Sequence, residues 1–358
     1  QGKIAGITGT RGKSTTTTLL HHILTVAGKK PFLGGNLGQI ETLSLLPAIT
    51  PDDWVVLELG NWMLEGLHTI RRSPRLAIFT NLLPDHLNAY DDMEDYGAAK
   101  SSIFRYQGPD DVAFFNADNA YTLRYGQEAP AGEVWYYSPE QQTAWRRDQP
   151  DDQRPFRYVG AIRLRGAHNL GNVQAATLAA EWIGVDHETI ARAVTSFPGV
   201  PHRLEVIRMV NGVTWVNDSA STAPMAGVAA LRSFDQPIVL IAGGNSKNLD
   251  PAEFAAEAAR RAKHIVLLAG NASDEFAEAL RAAARTQGRA GDFLEGPYDS
   301  LPYAIERARA AASPGDVALL SPGFTSFGMF LNEFDRGDQF RALVQALSGD
   351  GDNSEARV

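Results

Sequence analysis

The segment that most constrains the fold lies close to the start of the sequence, where a short apolar run meets a loop of glycine, lysine and hydroxyl residues. Residues 3–20 read KIAGITGTRGKSTTTTLL. A strand, a glycine-rich loop and a helix in this order are typical of a phosphate-binding loop, whose glycines let backbone N–H groups turn toward an anion. The helix points its positive N-terminus at the same place. We therefore predict a nucleotide-binding α/β domain.

The residues of this loop have distinct expected roles. Lys13 supplies a cation for the phosphates, and the Ser14 hydroxyl can bind Mg²⁺. The match to the general pattern is imperfect, because Ile7 stands where a glycine is expected five residues before Gly12. An ordinary glycine turn with an incidental lysine is the alternative interpretation. The predicted nucleotide contacts are Gly9, Thr10, Arg11, Gly12, Lys13, Ser14 and Thr15.

Short apolar runs alternate with helical patterns along the whole chain of 358 residues. In the first half, continuous runs at 54–59, 76–81 and 112–116 predict buried strands of a mostly parallel sheet covered by helices. The polar stretch 126–155 predicts a long loop or an insertion, and 156–166 predicts a half-exposed antiparallel strand. A helix is expected over 169–184, ending at a glycine.

The segment FPGVPHR at 197–203 interrupts this pattern with two prolines and a glycine, so we place a domain boundary there. A hairpin follows at 204–218, in which Asn211-Gly212 suits a type I′ turn. Further buried strands are expected at 237–244, 264–270 and 316–323. The predicted organisation is a P-loop central domain with a mostly parallel sheet at 1–200, a Rossmann-like α/β domain at 201–349 and a disordered tail at 350–358.

Composition excludes several classes of protein. The net charge of −9 argues against a nucleic-acid binder. Without cysteine the chain has no disulfide, thiolate metal site or cysteine nucleophile, which fits a cytoplasmic protein. No apolar run approaches the roughly 20 residues that span a bilayer, so no membrane insertion is expected. The sequence begins at Gln1 with a strand-like pattern, and we expect it to be truncated at its N-terminus.

A series of motifs in a fixed order then identifies a family. The chain resembles the Mur ligases, ATP-dependent enzymes that add amino acids to peptidoglycan precursors, and within them the glutamate-adding, MurD-type branch. Each motif alone is weak, whereas the ordered series is highly specific. The motifs are TGTRGKST (8–15), GGNLG (34–38), LELGNWMLE (57–65), NLLPDHLNAY (81–90), YGAAKSSIF (96–104), GAHNLGN (166–172), PGVPHRLE (198–205), NDSAST (217–222), AGGNSK (242–247) and LSPGFTSFGMF (320–330).

The resemblance implies three domains, of which the uridine-diphosphate-holding N-terminal one would precede Gln1. It also implies that the substrates are UDP-N-acetylmuramoyl-L-alanine and glutamate, that ATP and Mg²⁺ take part, and that the reaction passes through an acyl phosphate. A monomer is expected. Lys100 would be carbamylated by CO₂, which turns a cation into a carboxylate-like metal ligand.

The resemblance also assigns individual residues. Read without it, Glu58 is a strand-end acid, Lys100 a solvated helix lysine and Arg203 a partner in a salt bridge. A lone histidine such as His86 is more often structural, but its place beside an acid after a strand end favours a metal role. The implied catalytic residues are Lys13, His86 and Lys100, and the implied metal ligands are Ser14, Glu58, His86 and Lys100. The further nucleotide contacts are Asn169, Asn172, Arg203 and Asp218, and the substrate contacts are Asn36, Lys247 and Ser326.

Five positions depart from the common pattern of the branch. Gly60-Asn61 replaces a pair of serines, Ala220 a lysine, Gly328 an aspartate and Arg11 an asparagine. The amino-acid pocket is therefore altered, and the enantiomer of glutamate stays open. The competing hypotheses are a Mur-like ligase with another amino acid or acceptor, a P-loop switch or kinase, and a non-catalytic relative that only binds nucleotide.

Overall fold

The computed structural model describes residues 2–37, 42–85, 89–162, 164, 166, 169–289 and 291–348. Backbone contacts divide the chain into two compact units, Gln1–Pro198 and Gly199–Val358. This division falls two residues before the boundary predicted between 200 and 201, and the extents of the functional domains stay a prediction. The tail predicted at 350–358 lies outside the described residues.

The first unit is built on an eight-stranded sheet with the order β2-β3-β1-β4-β5-β6-β7-β8. The strands from β2 to β6 are mutually parallel, and β7 and β8 are added antiparallel. Their bounds are β1 (Lys3–Thr8), β2 (Phe32–Gly35), β3 (Trp54–Glu58), β4 (Leu76–Phe79), β5 (Val112–Asn116), β6 (Glu133–Ser138), β7 (Thr143–Arg146) and β8 (Gln149–Pro155).

Helices connect these strands, and polar side chains fix where several of them begin. Asp92 caps α3 by accepting from the backbone N–H groups of Glu94 and Asp95. Asp186 caps α6 in the same manner through the N–H of Thr189. The helices are α1 (Lys13–Val26), α2 (Asn61–Thr69), α3 (Met93–Ser101), α4 (Ala120–Glu128), α5 (Asn169–Trp182) and α6 (His187–Ser196), with 3₁₀ turns at Thr42–Ala48 and Val159–Ala161.

Two expectations for this unit were wrong. The stretch 126–155 is not a long loop, because it contains β6 and the β7–β8 hairpin. The hairpin escaped prediction since β8 is exposed along its whole length and carries no apolar pattern. The described part of 156–166 contains a 3₁₀ turn instead of an antiparallel strand. The predicted strands at 54–59, 76–81 and 112–116 are confirmed as β3, β4 and β5, and the helix at 169–184 as α5.

The second unit has a six-stranded sheet with the order β13-β12-β11-β14-β10-β9. Its strands are parallel except β9, which pairs with β10 in a hairpin. Asn211 and Gly212 at the hairpin turn both have positive φ, 50° and 76°, as a type I′ turn requires. The strands are β9 (Glu205–Val210), β10 (Val213–Asn217), β11 (Ile238–Ala242), β12 (Ala262–Leu268), β13 (Leu294–Tyr298) and β14 (Val317–Leu320).

Helices cover this second sheet, and the apolar core divides into one cluster on each of its faces. The α/β class with a mostly parallel sheet in each unit is therefore confirmed. No helix in the described ranges is both long enough and apolar enough to cross a bilayer. The helices are α7 (Pro224–Leu231), α8 (Ala252–Arg261), α9 (Ser273–Thr286), α10 (Leu301–Ala311) and α11 (Glu333–Ala346).

An aromatic cluster lies within one of these cores. Phe254 is fully buried, and its ring stacks on that of Phe276 with the centroids 4.9 Å apart. Phe324 packs edge-on against Phe276 at 5.0 Å. Gly227 and Gly323 lie so close to the Phe254 ring that a Cβ atom at either position would come within 2.4 Å of it. The two glycines thus leave the space that this ring fills.

We predict that Phe254→Ala lowers the free energy of unfolding by about 3–5 kcal/mol, because the surrounding rings and backbone can collapse only partly into the cavity. Chemical denaturation followed by fluorescence measures the change. Met209→Ala, in the same unit but 52% exposed, is the matched control and should change stability by less than about 0.5 kcal/mol. Equal effects of the two substitutions would contradict this description of the core.

Candidate active site

The candidate site of the first unit lies where three neighbouring parallel strands end. Strand β1 pairs with β3 on one side, with Ile7 opposite Glu58, and with β4 on the other, with Thr8 opposite Phe79. The phosphate loop, the carboxylate of Glu58 and the segment after β4 therefore emerge side by side. Ligands of open α/β sheets bind at this carboxyl edge of the strands.

The phosphate loop approaches its neighbours so closely that two of its positions require glycine. Gly9 and Gly12 have φ of 146° and 83°. A Cβ atom at Gly9 would lie 2.0 Å from Oγ1 of Thr80, and one at Gly12 would lie 2.1 Å from Oδ1 of Asn172. The sequence-based assignment of these glycines to a tight loop agrees with this geometry.

The residues that follow β4 hold the loop in place. The backbone N–H of Arg11 donates to Oδ1 of Asn81 at 2.9 Å, and Nδ2 of Asn81 donates back to the Arg11 carbonyl at 3.1 Å. Thr80 Oγ1 donates to the same carbonyl at 2.6 Å, and the N–H of Thr10 donates to the Asn81 carbonyl at 2.9 Å. Sequence analysis did not single out Thr80 or Asn81, although a polar pair directly after a central parallel strand is a usable signal.

The side chains of the loop differ in their contacts and in their exposure. Lys13 lies back over the loop, where its Nζ donates to the carbonyls of Gly9 and Thr10 at 2.8 and 2.9 Å. Ser14 and Thr15 are half-buried in the first turn of α1, whereas Arg11 is exposed. The cation and the hydroxyls are thus at the helix N-terminus, as the loop pattern predicts.

Lys100 is the most deeply buried cation of the first unit's site, with 1% of its surface exposed. It lies in the last turn of α3. Its Nζ donates to Oδ1 of Asn61 at 2.7 Å and to the carbonyl of Gly9 at 3.2 Å, and it lies 4.9 Å from the centroid of the Tyr96 ring. The expectation of a solvated helix lysine is wrong, and Lys100 belongs to the phosphate-loop site.

The surroundings of Lys100 make its amine unusually easy to deprotonate. Burial lowers the pKa of Lys100 to about 7, and the positive charge of Lys13 acts in the same direction. The carboxylates of Asp85 and Glu58 oppose this shift. A large share of the Lys100 side chains is therefore neutral near pH 7, which is the nucleophilic form of an amine.

Glu58 ends β3 with its carboxyl group buried in the site. Its Oε1 accepts a hydrogen bond from Nδ2 of Asn36 at 3.3 Å, and Asn36 also donates its backbone N–H to the Glu58 carbonyl at 2.9 Å. Its Oε2 is buried without a hydrogen-bond partner among the described residues. A buried carboxylate oxygen without a partner is costly, so a cation at this position would relieve the cost.

Asn172, another predicted nucleotide contact, lies against the phosphate loop. Asn169 and Asn172 begin α5, and Nδ2 of Asn172 donates to Oδ1 of Asn169 at 2.8 Å. Asn172 is the residue whose Oδ1 faces Gly12. His86 lies outside the described residues, so its predicted role as a metal ligand stays a prediction. The part of the chain that the structure covers has no group of three His, Asp or Glu side chains poised to hold a metal.

In the second unit, the turn after β10 carries Asp218. This carboxyl group accepts the backbone N–H of Leu204 at 3.1 Å and the hydroxyl of Ser321 at 2.8 Å. Burial raises the pKa of Asp218 to about 7, although these hydrogen bonds and the nearby charge of Arg203 favour the ionised form. The geometry thus brings together Arg203 and Asp218, the two predicted nucleotide contacts of this unit.

The predicted amino-acid contacts lie on loops that leave the same sheet edge. Lys247 follows β11, and its Nζ donates to Oγ1 of Thr222 at 3.0 Å. Ser326 follows β14, and its Oγ is buried without a hydrogen-bond partner among the described residues. Backbone hydrogen bonds between Asn245 and Thr325 pair the two loops. An exposed ammonium and a buried hydroxyl on paired loops suit an anionic small molecule.

Comparison with known families covers both units. Residues 7–180 match the family described as the Mur ligase middle domain, and residues 202–324 match the Mur ligase glutamate ligase domain. The UDP-N-acetylmuramoylalanine–D-glutamate ligase of Roseiflexus sp. strain RS-1 is 43% identical over 363 residues, which cover 97% of this chain and 77% of the relative. The ligase of the same name from Symbiobacterium thermophilum is 38% identical, with 96% and 76% covered.

Solved structures show the same fold at lower identity. The UDP-N-acetylmuramate–alanine ligase of Thermotoga maritima superposes with a TM-score of 0.65 at 19% identity, covering 96% of this chain and 76% of its own. The MurF of Acinetobacter baumannii gives a TM-score of 0.67 at 18% identity, covering 95% and 76%. The arrangement of a P-loop unit followed by a second α/β unit is therefore shared with these enzymes.

The low pKa of Lys100 predicts a pH dependence of stability. An unfolded chain holds this proton up to its ordinary pKa of 10.5, whereas the folded protein releases it near 7. Between these values the unfolded state binds more protons, so the free energy of unfolding rises with pH, by at most about 1.4 kcal/mol per pH unit. Below pH 7 the contribution is constant.

The measurement compares denaturant unfolding of the wild type and of Lys100→Met from pH 6 to 10 in CO₂-free buffer. The difference between the two proteins cancels the contributions of the other titrating groups. We expect the wild type to gain stability relative to the variant as pH rises through this range. A constant difference would show that the Lys100 amine titrates at its ordinary pKa.

Proposed function

The chain belongs to the Mur ligase family, and we propose that it is an ATP-dependent ligase that adds glutamate to UDP-N-acetylmuramoyl-L-alanine during the synthesis of peptidoglycan precursors. The observation that carries the proposal is the phosphate loop with Lys13 and the buried Lys100 around one strand edge. The relatives named as D-glutamate ligases, which align over nearly the whole chain, support the choice of substrates.

An amide does not form directly from a carboxylate, because oxide is a poor leaving group. In the proposed reaction a substrate carboxylate oxygen attacks the γ-phosphorus of ATP, the bond to the β-phosphate oxygen breaks, and ADP leaves. The amine of glutamate then attacks the acyl carbon, a C–N bond forms, inorganic phosphate leaves, and the amine loses a proton. The protein must therefore bind a triphosphate, hold two substrates together and exclude water.

The residues of the first unit fit a nucleotide. The backbone N–H groups at the start of α1 and the ammonium of Lys13 would hold its phosphates, after Lys13 exchanges the loop carbonyls for phosphate oxygens. Asn172 closes one side of the loop, and we propose that it contacts the nucleotide together with Asn169. We also propose Arg203 and Asp218 as nucleotide contacts, because a guanidinium suits two phosphate oxygens.

Other residues at this edge of the sheet fit a magnesium ion. Glu58 provides a buried carboxylate oxygen without a partner, and Ser14 provides a hydroxyl at the helix start. We propose that Glu58, Ser14, Lys100 and His86 hold the metal, which when bound neutralises charge on the transferring phosphoryl group. Lys13 and the backbone N–H groups of the loop stabilise the same charge from the protein side.

Lys100 can act as a metal ligand only after its chemistry changes. We propose that its neutral amine attacks CO₂, so that an Nζ–C bond forms and the nitrogen loses a proton to solvent. The resulting carbamate is an anion. The lowered pKa and the nearly complete burial of Lys100 support this proposal, because both favour a neutral amine that can react.

The amino acid would bind to the second unit. Lys247 supplies a cation for a carboxylate, and the Ser326 hydroxyl supplies a donor, while Asn36 of the first unit would face the nucleotide-sugar. Ala220 removes a cation that the branch usually has, so a ligase for a different amino acid or acceptor is the second candidate function. D-glutamate is our first choice, given the names of the relatives. The cytoplasmic location and the monomer stay predictions.

The test of the function uses the complete product of the gene with ATP, Mg²⁺, UDP-N-acetylmuramoyl-L-alanine and D- or L-glutamate or another amino acid, and it weighs the product by mass spectrometry. We expect an adduct with D-glutamate. Lys13→Ala should lower the rate by at least about 100-fold, because it removes a cation that stabilises the transition state. Lys29→Ala, three residues beyond the end of α1, is the control and should retain the wild-type rate.

A product with another amino acid would favour the second candidate, and ADP release that no amino acid stimulates would overturn the ligase. Near-normal turnover in the Lys13 variant would remove the role given to the phosphate loop.

The carbamate predicts chemical rescue. Lys100→Ala should lose at least about 100-fold in rate, and a short carboxylate such as acetate should restore part of it by occupying the space of the missing anion. Bicarbonate should stimulate the wild type after CO₂ is removed. Lys13→Ala, which lacks a cation instead, should gain nothing from acetate. Full activity of the Lys100 variant without any additive would show that no anion is needed at this position.

A further inference from the structure

Asn61, in the GNWMLE segment, makes direct contact with the site described above, and the reaction as described gives it no role. It begins α2 immediately after Gly60, which has an extended backbone with φ of −76° and ψ of 171°. Only 8% of its surface is exposed. This position is one of those at which the chain departs from the serine pair that is common in its branch.

The side-chain oxygen of Asn61 lies nearer to the Lys100 nitrogen than the backbone oxygen that also accepts from it. Its Oδ1 lies 2.7 Å from Nζ, whereas the Gly9 carbonyl lies at 3.2 Å. Because the Gly9 oxygen also accepts from Lys13 at 2.8 Å, Lys100 shares that carbonyl with a second lysine. The amide of Asn61 is thus the contact that most directly sets where the Lys100 nitrogen lies.

The Asn61 side chain also lies beside Tyr90, where it opposes the rise in the pKa of the Tyr90 hydroxyl. That hydroxyl donates to Oε1 of Glu65 at 2.8 Å. A hydroxyl both donates and accepts, so Tyr90 can partner either the nitrogen or the oxygen of the amide. The terminal torsion of an asparagine is broad and nearly two-fold, and a half-turn exchanges these two atoms. Rotation about this torsion would therefore present either amide atom to Lys100.

We propose that Asn61 is a positioning residue that holds Lys100 at the phosphate loop in both of its chemical forms, with Oδ1 accepting from the amine and Nδ2 donating to an oxygen of the carbamate. The proposal rests on the proposed function, specifically on the carbamate at Lys100. Carbamylation replaces donor hydrogens by two acceptor oxygens, so a group that could only accept would lose its hydrogen bond. An amide, like a serine hydroxyl, can do both.

The proposal predicts that side chains at position 61 differ in effect according to whether they can donate and accept a hydrogen bond. Asn61→Asp keeps the shape but can only accept, and its negative charge repels the carbamate. Asn61→Leu has a similar volume and no hydrogen-bonding group. Both should raise the bicarbonate concentration needed for half-occupancy of the carbamate by about tenfold or more, the effect expected for losing a hydrogen bond to a charged group. Asn61→Ser donates and accepts, and it should stay within about threefold of the wild type.

The experiment measures the carbamate directly, as the ¹³C signal that ¹³C-bicarbonate produces in the folded, Mg²⁺-containing protein at fixed pH. Thermal melting of each variant establishes that it is folded. If Asn61→Asp does not fold, Asn61→Leu gives the same comparison. Gln149→Glu, the same amide-to-acid exchange on the exposed strand β8, is the control and should leave the signal unchanged.

The outcomes separate the two proposals. A wild-type signal that falls in the Asp and Leu variants and persists in the Ser variant supports the role of Asn61. A wild-type signal that the Asp and Leu variants retain, or that the Ser variant loses equally, overturns that role and leaves the carbamate standing. If the wild type gives no signal, Lys100 carries no carbamate, and both the carbamate and the role of Asn61 are overturned.

Discussion

The pairing of β1 with both β3 and β4 is the constraint on which the first unit's site depends. Because all three strands run in the same direction, their carboxyl ends meet, and the loop after β1 is closed on one side by Glu58 and on the other by Thr80 and Asn81. The hydrogen bonds from these two residues to the backbone of Arg11 fix the loop before any ligand binds. The register of the sheet therefore determines where an anion can lie.

The same packing concentrates positive charge at one loop of an acidic protein. With a net charge of −9, the chain attracts phosphate only through a local concentration of cations and N–H groups. Lys13 and Lys100 both donate to the carbonyl of Gly9, so two lysines meet at a single loop. Burial of the second one lowers its proton affinity, which limits the repulsion between them.

Much of the fold and of the candidate site could be predicted from the sequence, and the predictions that failed did so for physical reasons. Continuous apolar runs predicted β3, β4 and β5 because buried parallel strands need apolar residues on both faces. The β7–β8 hairpin was missed because pairing at the edge of a sheet requires backbone hydrogen bonds and no particular side chains. The glycine and lysine pattern located the phosphate loop, whereas the burial of Lys100 and its contact with Asn61 depend on how α2 and α3 pack. No local pattern encodes that contact.

Strand β8 has a consequence for the behaviour of the protein in a crowded solution. The outer edge of a sheet offers unpaired backbone groups to any passing strand, and such edges are common starting points for aggregation. In β8, Pro150 and Pro155 each lack an N–H group, and Asp151 and Asp152 place adjacent negative charges on a fully exposed segment. A strand that paired with β8 would lack the two backbone N–H donors that the prolines do not have. It would also have to remove water from the two carboxylates. Strand β8, whose sequence has no apolar pattern, thus disfavours the pairing of further strands with this edge of the sheet.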